Sequence, residues 1–299
     1  MDESVSAGPS AGADGVWMRS MPGVFVFLWS TGFIGAKYGL PYAQPITFLL
    51  LRFGLVLALM VPIALLLRAP WPATPAQTAH IAATGVLLHG GYLGGVFTAI
   101  HAGMSAGLAA LIVGLQPILT AVLATGVLRE RVSGRQWLGL ALGFGGVALV
   151  AAERSTLAGL TALGATTILI ALASITAGTL YQKRFCGAFD LRAGAVIQFV
   201  AAAAVLAPFA ALFEHEPVRW TGEFVFALAW LVLVLSIGAI SLLTLLIRRG
   251  AATKVASLFY LVPPLTAVIA YAMFDERLGA PGVAGFALAM LGVALVVRS

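Results

Sequence analysis

The chain repeats itself at one fixed offset. Shifted by 146 positions, Gln116 to Val150 falls on Val262 to Val296 without a gap: Leu119-Thr120-Ala121-Val122 on Leu265-Thr266-Ala267-Val268, Glu130-Arg131 on Glu276-Arg277, and Gly146 to Val150 on Gly292 to Val296. The same offset pairs Gly32 with Gly178, Lys37 with Lys183, Phe53 with Phe199, Pro62 with Pro208, Thr98 with Thr244 and Pro117 with Pro263. Two copies of one structural unit therefore tile nearly the whole chain, and any fold must bury one copy against the other.

Composition decides the solvent. With 61% hydrophobic and 9% charged residues, 299 residues lack the polar surface to cover a water-soluble core. Charges and Pro/Gly turns interrupt the apolar runs about every 20 residues, the length that crosses a bilayer core as helix. The pI of 9.9 comes from basic residues scattered singly at span ends, a membrane-topology pattern and not a nucleic-acid surface. The single cysteine, Cys186, excludes an intramolecular disulfide and a Cys-rich metal cage. Neither metal nor organic cofactor is expected, and no G-x-x-x-x-G-K-[ST] motif signals ATP use.

The fold class expected is an all-α membrane protein of ten transmembrane helices, arranged as a five-plus-five repeat. Residues 1–20 read as a disordered cytoplasmic tail, 21–153 as the first repeat with helices 1 to 5, and 154–299 as the second with helices 6 to 10. Pro22 suits the opening of the first span, and Arg68 to Pro75, with three prolines, breaks helix outright. If both termini are cytoplasmic, that side collects Arg19, Arg68, Arg129, Arg131, Arg135, Lys183, Arg184, Arg192, Arg248, Arg249, Lys254 and Arg298. The opposite loops keep Arg154, Arg219 and Arg277. Five spans per half is an odd number, so the second half enters the bilayer from the other side. Inverted-topology repeats of this kind serve secondary transport about a midplane site. The location expected is a bacterial-type cell inner membrane.

The five-plus-five repeat, Trp29 to Gly39 (WSTGFIGAKYG), Leu49 to Phe53 (LLLRF), and the paired P-x-x-T-A-V and E-R-x segments resemble the drug/metabolite transporter superfamily, EamA type. The resemblance covers residues 21 to 297 and extends to the YddG-type amino-acid exporters. It implies a ten-helix transporter that exports amino acids or other small metabolites.

Several residues are placed to hold such a cargo. Arg52 lies about 10 Å inside span 2 at 1.5 Å per residue, and Lys37 lies near the same outer level on span 1. Either holds a substrate carboxylate, or else snorkels or pairs with a loop acid. His89 and Tyr92 fall one helical turn apart and on one face, among Gly90, Gly91, Gly94 and Gly95, with His89 read as the only ionisable group near the midplane. Pro117, Pro263 and Pro264 kink helices 4 and 9, freeing carbonyls that take either a substrate ammonium or a packing partner. Trp29, Gln116, Tyr181, Gln182 and Tyr260 complete the substrate-binding candidates, and Gln198 is a further polar group in need of a partner. Every Asp and Glu falls in a tail, in a loop or at a span end, so no midplane carboxylate is available for a proton or sodium relay. The partners expected are a small-molecule substrate and the lipid bilayer. The glycine faces of spans 5 and 10 leave monomer and homodimer open.

Two other readings compete. Gly103-Met104-Ser105-Ala106-Gly107 satisfies G-x-S-x-G, and with His89-Gly90-Gly91 it allows an intramembrane serine hydrolase. That motif requires a strand-turn-helix setting, whereas Ser105 precedes an apolar run as a helix cap would. A membrane receptor that binds without carrying is the third reading.

Overall fold

The computed structural model describes residues 10–120, 123, 133–152, 161–239, 242, 246 and 258–297, with side chains for all of these except 10–19, 136, 260, 296 and 297. The first half contributes α1 (Ser10–Gly39), α2 (Pro45–Leu66), α3 (Pro75–His101), α4 (Ala106–Thr120) and α5 (Gly134–Ala151). The second contributes α6 (Ala162–Cys186), α7 (Leu191–Phe213), α8 (Gly222–Ala239), α9 (Val262–Phe274) and α10 (Ala280–Val297). No strand occurs among the described residues. Helices α2, α3, α6, α7 and α8 are long and apolar enough to cross a membrane, and α4, α5, α9 and α10 are shorter apolar helices.

Local chemistry sets the helix ends. Thr74 accepts the Gln77 amide at 3.2 Å and Pro75 occupies the first turn, so α3 starts where the proline-rich loop stops. Thr161 and Thr221 cap α6 and α8 in the same way. One expectation fails at the other end of the chain: α1 begins at Ser10 and Pro22 lies within it. The tail expected over residues 1–20 is thus helical from Ser10. Between Ser10 and Pro22 no proline interrupts the backbone ladder, and helix extends readily from a turn already formed.

The glycine seam between α5 and α10 shows how the halves are related. A Cβ on Gly285 would lie 2.6 Å from the Gly146 carbonyl oxygen, and one on Gly292 would lie 2.6 Å from the Gly143 amide nitrogen and close against the Gly139 carbonyl. As the α5 partner rises from Gly139 to Gly146, the α10 partner falls from Gly292 to Gly285, so the two helices run antiparallel. Gly285 and Gly292 are also the repeat mates of Gly139 and Gly146. Each contact therefore maps onto the other under the repeat, the signature of a two-fold axis perpendicular to the helices. Mates related by translation alone would run parallel. The inversion expected from an odd span count is present as packing geometry. These glycine faces are spent within the chain, on each other.

The remaining contacts obey the same axis. Helices α2 and α7 pack together, as do α4 and α9, while α1 packs on α8 and α9 as α6 packs on α3 and α4. Phe53 and Phe199, repeat mates, touch each other at the axis with ring centroids 5.2 Å apart. Even an irregularity repeats: α3 widens to a π-helix at Val86–Gly91 and α8 at Trp230–Ala239, a range that contains the mates of 86–91.

Candidate functional site

The axis passes through a polar cluster between α2, α3, α7 and α8. Arg52, only 8% exposed, donates from Nε and Nη2 to the Ser236 hydroxyl at 3.3 and 3.0 Å. Ser236 in turn donates to the Leu231 carbonyl at 3.0 Å, a five-residue span that only the π-turn of α8 makes available. On the other side of the axis, His89 Nε2 meets Gln198 Oε1 at 3.4 Å and the imidazole stacks on Phe199, centroids 4.3 Å apart. Gln198 is the repeat mate of Arg52. The two-fold thus brings together α2 with α8 through Arg52, and α7 with α3 through Gln198.

Tyr92 and His89 both lie within electrostatic reach of Arg52. The structure therefore assembles Arg52, His89 and Tyr92 into one site, and His89 is not the only ionisable group there. The π-turn rearranges α3 as well. His89 sits inside it and Tyr92 closes it through a bond to the Leu87 carbonyl, so their relative angle is not that of a regular α-helix. Neither Ser236 nor the Phe53–Phe199 pair stood out as a ligand in the sequence, although the offset that links Phe53 to Phe199 was there to be read.

The other candidates lie elsewhere. Lys37 pairs with Glu276, whose carboxylate also accepts the Ala106 amide at 3.0 Å and the Gly107 amide at 3.4 Å, and its ammonium lies 5.1 Å from the Phe274 ring. The loop-acid alternative describes Lys37. It also lines a cavity of about 390 Å³ with Tyr42, Gln44, His101, Glu216 and Arg219, at the end of the bundle where Arg219 donates to the Pro41 carbonyl. Trp29 packs between Phe25 and Phe259, 5.4 and 5.0 Å away. Tyr181 bonds His80 Nδ1 at 2.8 Å, and Gln182 opens the π-turn Gln182–Cys186 that ends α6. Gln116 donates to Thr120 at 3.0 Å and Thr179 at 3.4 Å. The Tyr260 side chain lies outside the described residues.

The prolines break their helices as expected, each in the first turn of a resumed segment. Pro117 follows an interruption at Gly114–Leu115, and Pro263 and Pro264 follow the 3₁₀ turn Phe259–Leu261. The two breaks meet, with Pro263 Cγ 2.9 Å from where a Gly114 Cβ would be. In α9 the Val262 N–H bonds the Phe259 oxygen, and Ser30 Oγ, which donates to the Val26 carbonyl at 2.8 Å, lies 3.2 Å from the Val262 oxygen.

Ser105 accepts the Leu108 amide at 3.1 Å and so caps α4. The amide of the next residue, Ala106, which an oxyanion would need, is held by Glu276, and His89 bonds Gln198. Among the described residues no group of three His, Cys, Asp or Glu is placed to hold a metal.

The two helices that carry Arg52 and Gln198 are anchored differently. Asp190 caps α7 through the Arg192 and Ala193 amides at 2.9 and 3.4 Å, and the Arg192 guanidinium bonded to it holds its carboxyl down at about 2. Its mate Gln44 makes no such cap on α2. Glu214, from the other half, takes the Ile46 and Thr47 amides at 2.8 and 2.6 Å and the Thr47 hydroxyl at 2.7 Å.

Comparison with known proteins agrees with this architecture. The profile of the EamA-like transporter family matches residues 24–152 and again 162–298. The chain is 28% identical over 284 residues to the uncharacterized transporter YvbV of Bacillus subtilis (strain 168), covering 91% of this chain and 88% of that one. It is 26% identical over 277 residues to a probable amino-acid metabolite efflux pump of Escherichia coli (strain K12), covering 90% of each. A crystal structure at 21% identity superposes with a TM-score of 0.61 over 92% of this chain and 94% of the other, a likeness of fold alone.

Proposed function

Because the chain belongs to the EamA-like transporter family, we propose that it is a secondary transporter exporting small carboxylate-bearing metabolites, amino acids among them, across a bacterial-type inner membrane. Both termini face the cytoplasm in this reading. The observation that carries it is Arg52: a guanidinium buried in an apolar bundle, on the axis between the halves, bonded to a hydroxyl and to no carboxylate among the described residues. A cation at such depth is retained for a ligand or pathway. Two of its five N–H groups use Ser236, which leaves donors for a cargo carboxylate, and His89 and Tyr92 add neutral polar contacts beside it. Phe53 and Phe199 wall the site, suiting apolar or aromatic cargo.

A site on the two-fold axis is reached equally by either half, so a rocking motion exposes it first to one side and then to the other. The amino-acid reading is supported by the likeness to the probable amino-acid metabolite efflux pump of Escherichia coli. Labelled amino acids loaded into proteoliposomes provide the test. Efflux is expected without ATP and in the presence of a proton ionophore, with Arg52→Gln lowering it about ten- to a hundredfold, the worth of one charge-assisted hydrogen bond. Efflux no faster than from protein-free liposomes would refute the reading.

A further inference from the structure

The site has one sign of charge. Arg52 is a full cation, while its repeat mate Gln198 is an amide and Ser236 and Tyr92 are hydroxyls. Among the described residues every Asp and Glu stands in a loop or at a helix end: Glu276 is engaged with Lys37 and α4, Glu214 with α2, and Asp190 with α7. The acceptors near the kinks are neutral: the Phe259 carbonyl already takes the Val262 N–H, and Gln116, which turns its NH₂ to two threonines, presents an amide oxygen.

A carboxylate entering this site meets a guanidinium with unused donors, but an ammonium a few ångströms away meets no anion. Removing an ammonium from water costs more than neutral acceptors return. The guanidinium also repels it, in surroundings that screen weakly. We propose that the preferred cargo is a monocarboxylate with an apolar body and no ammonium, which pairs with Arg52 and lays its body against Phe53 and Phe199. The proposal rests on the transport reading and names its substrate class.

Three compounds of nearly one shape separate the charges: 3-phenylpropanoate, phenylalanine and 2-phenylethylamine. Each is titrated against the purified full chain in detergent at pH 7, with protection from thermal unfolding as the readout of binding. The expected result is half-maximal protection by 3-phenylpropanoate at a concentration at least about tenfold below that of phenylalanine, and none by the amine. Arg52→Lys should keep this order and Arg52→Gln should erase it. Phenylalanine matching 3-phenylpropanoate, the amine protecting, or none of the three protecting would overturn the proposal on the wild-type protein alone, whatever the variants do. Flux of labelled 3-phenylpropanoate and of labelled phenylalanine in proteoliposomes, each compared with protein-free liposomes, is measured separately, and flux of either compound counts as transport. If flux occurs while the order is wrong, the cargo class fails and the transport reading stands; if the order is right without flux, transport fails and the site stands.

Discussion

Arg52 and Gln198 hold equivalent places in the two halves, each on the second helix of its repeat, each one residue before a phenylalanine that touches its own mate across the axis. The first carries a permanent charge to Ser236 on α8, and the second carries an amide to His89 on α3. Backbone and apolar contacts obey the two-fold, while the polar groups depart from it. A symmetric pair of arginines at the axis would put two like charges together in a weakly screening interior. One half supplies the charge and the other supplies a neutral partner.

The largest effect should come from breaking the frame. Gly285→Val drives a side chain into the Gly146 carbonyl, 2.6 Å from the new Cβ. Overpacking costs about 1 to 3 kcal/mol, and a backbone clash belongs at the upper end. Gly145→Ala, which faces Leu288 at 3.9 Å, should stay within about 0.5 kcal/mol. Melting of the purified proteins decides it, and equal losses for the two would show that the seam is not what joins the halves.

Next comes the charge itself. Gln198→Arg alone should lower stability by setting two guanidinium groups near one axis, and Arg52→Gln alone should weaken carboxylate binding by about 1.5 to 3 kcal/mol. Combined, the two substitutions move the cation to the equivalent place. Binding should recover to within about tenfold of wild type. A double variant as weak as Arg52→Gln would mean that Ser236 or the α8 π-turn, and not the charge alone, defines the site.

The smallest effects concern the caps. Glu214→Gln removes an anionic cap supplied by the other half and should cost about 0.5 to 2 kcal/mol, while Asp190→Asn, a local cap, should cost less. Their acid responses sharpen the contrast. The Asp190 carboxyl titrates at about 2 in the folded protein, below its ordinary 3.8. Its contribution is complete above pH 3.8 and is lost as pH falls from there toward 2. Melting curves in that window should show the loss in wild type and not in Asp190→Asn; an identical acid limb in both would disprove this role.

The sequence made much of this readable. The repeat, the span-length apolar runs and the odd span count per half led to ten helices and an inversion, because hydrophobic burial and bilayer thickness act on each segment locally. The prolines marked the breaks, since ring geometry needs no tertiary context. The site was legible only in part. Arg52, His89 and Tyr92 were visible as costly polar groups in apolar spans, but Lys37 carried the same signal and pairs with Glu276 instead, from a loop 239 residues away. Trp29 and Tyr181 found aromatic and histidine neighbours outside the axis cluster, where nothing in their local sequence sets them apart.

What the sequence determined by itself was periodic: two units, their helices, their breaks, and a chemical inequality between Arg52 and Gln198 at matching positions. What the tertiary structure decided was pairing. Antiparallel packing of glycine on glycine set the axis, the axis brought α2 against α7 and their partners α8 and α3, and only then did Arg52 find Ser236 while Lys37 found Glu276. Helix formation and burial depend on neighbours a few residues apart, so they are written along the chain. A buried charge chooses its partner by position in space, and that position exists only once both repeats have packed.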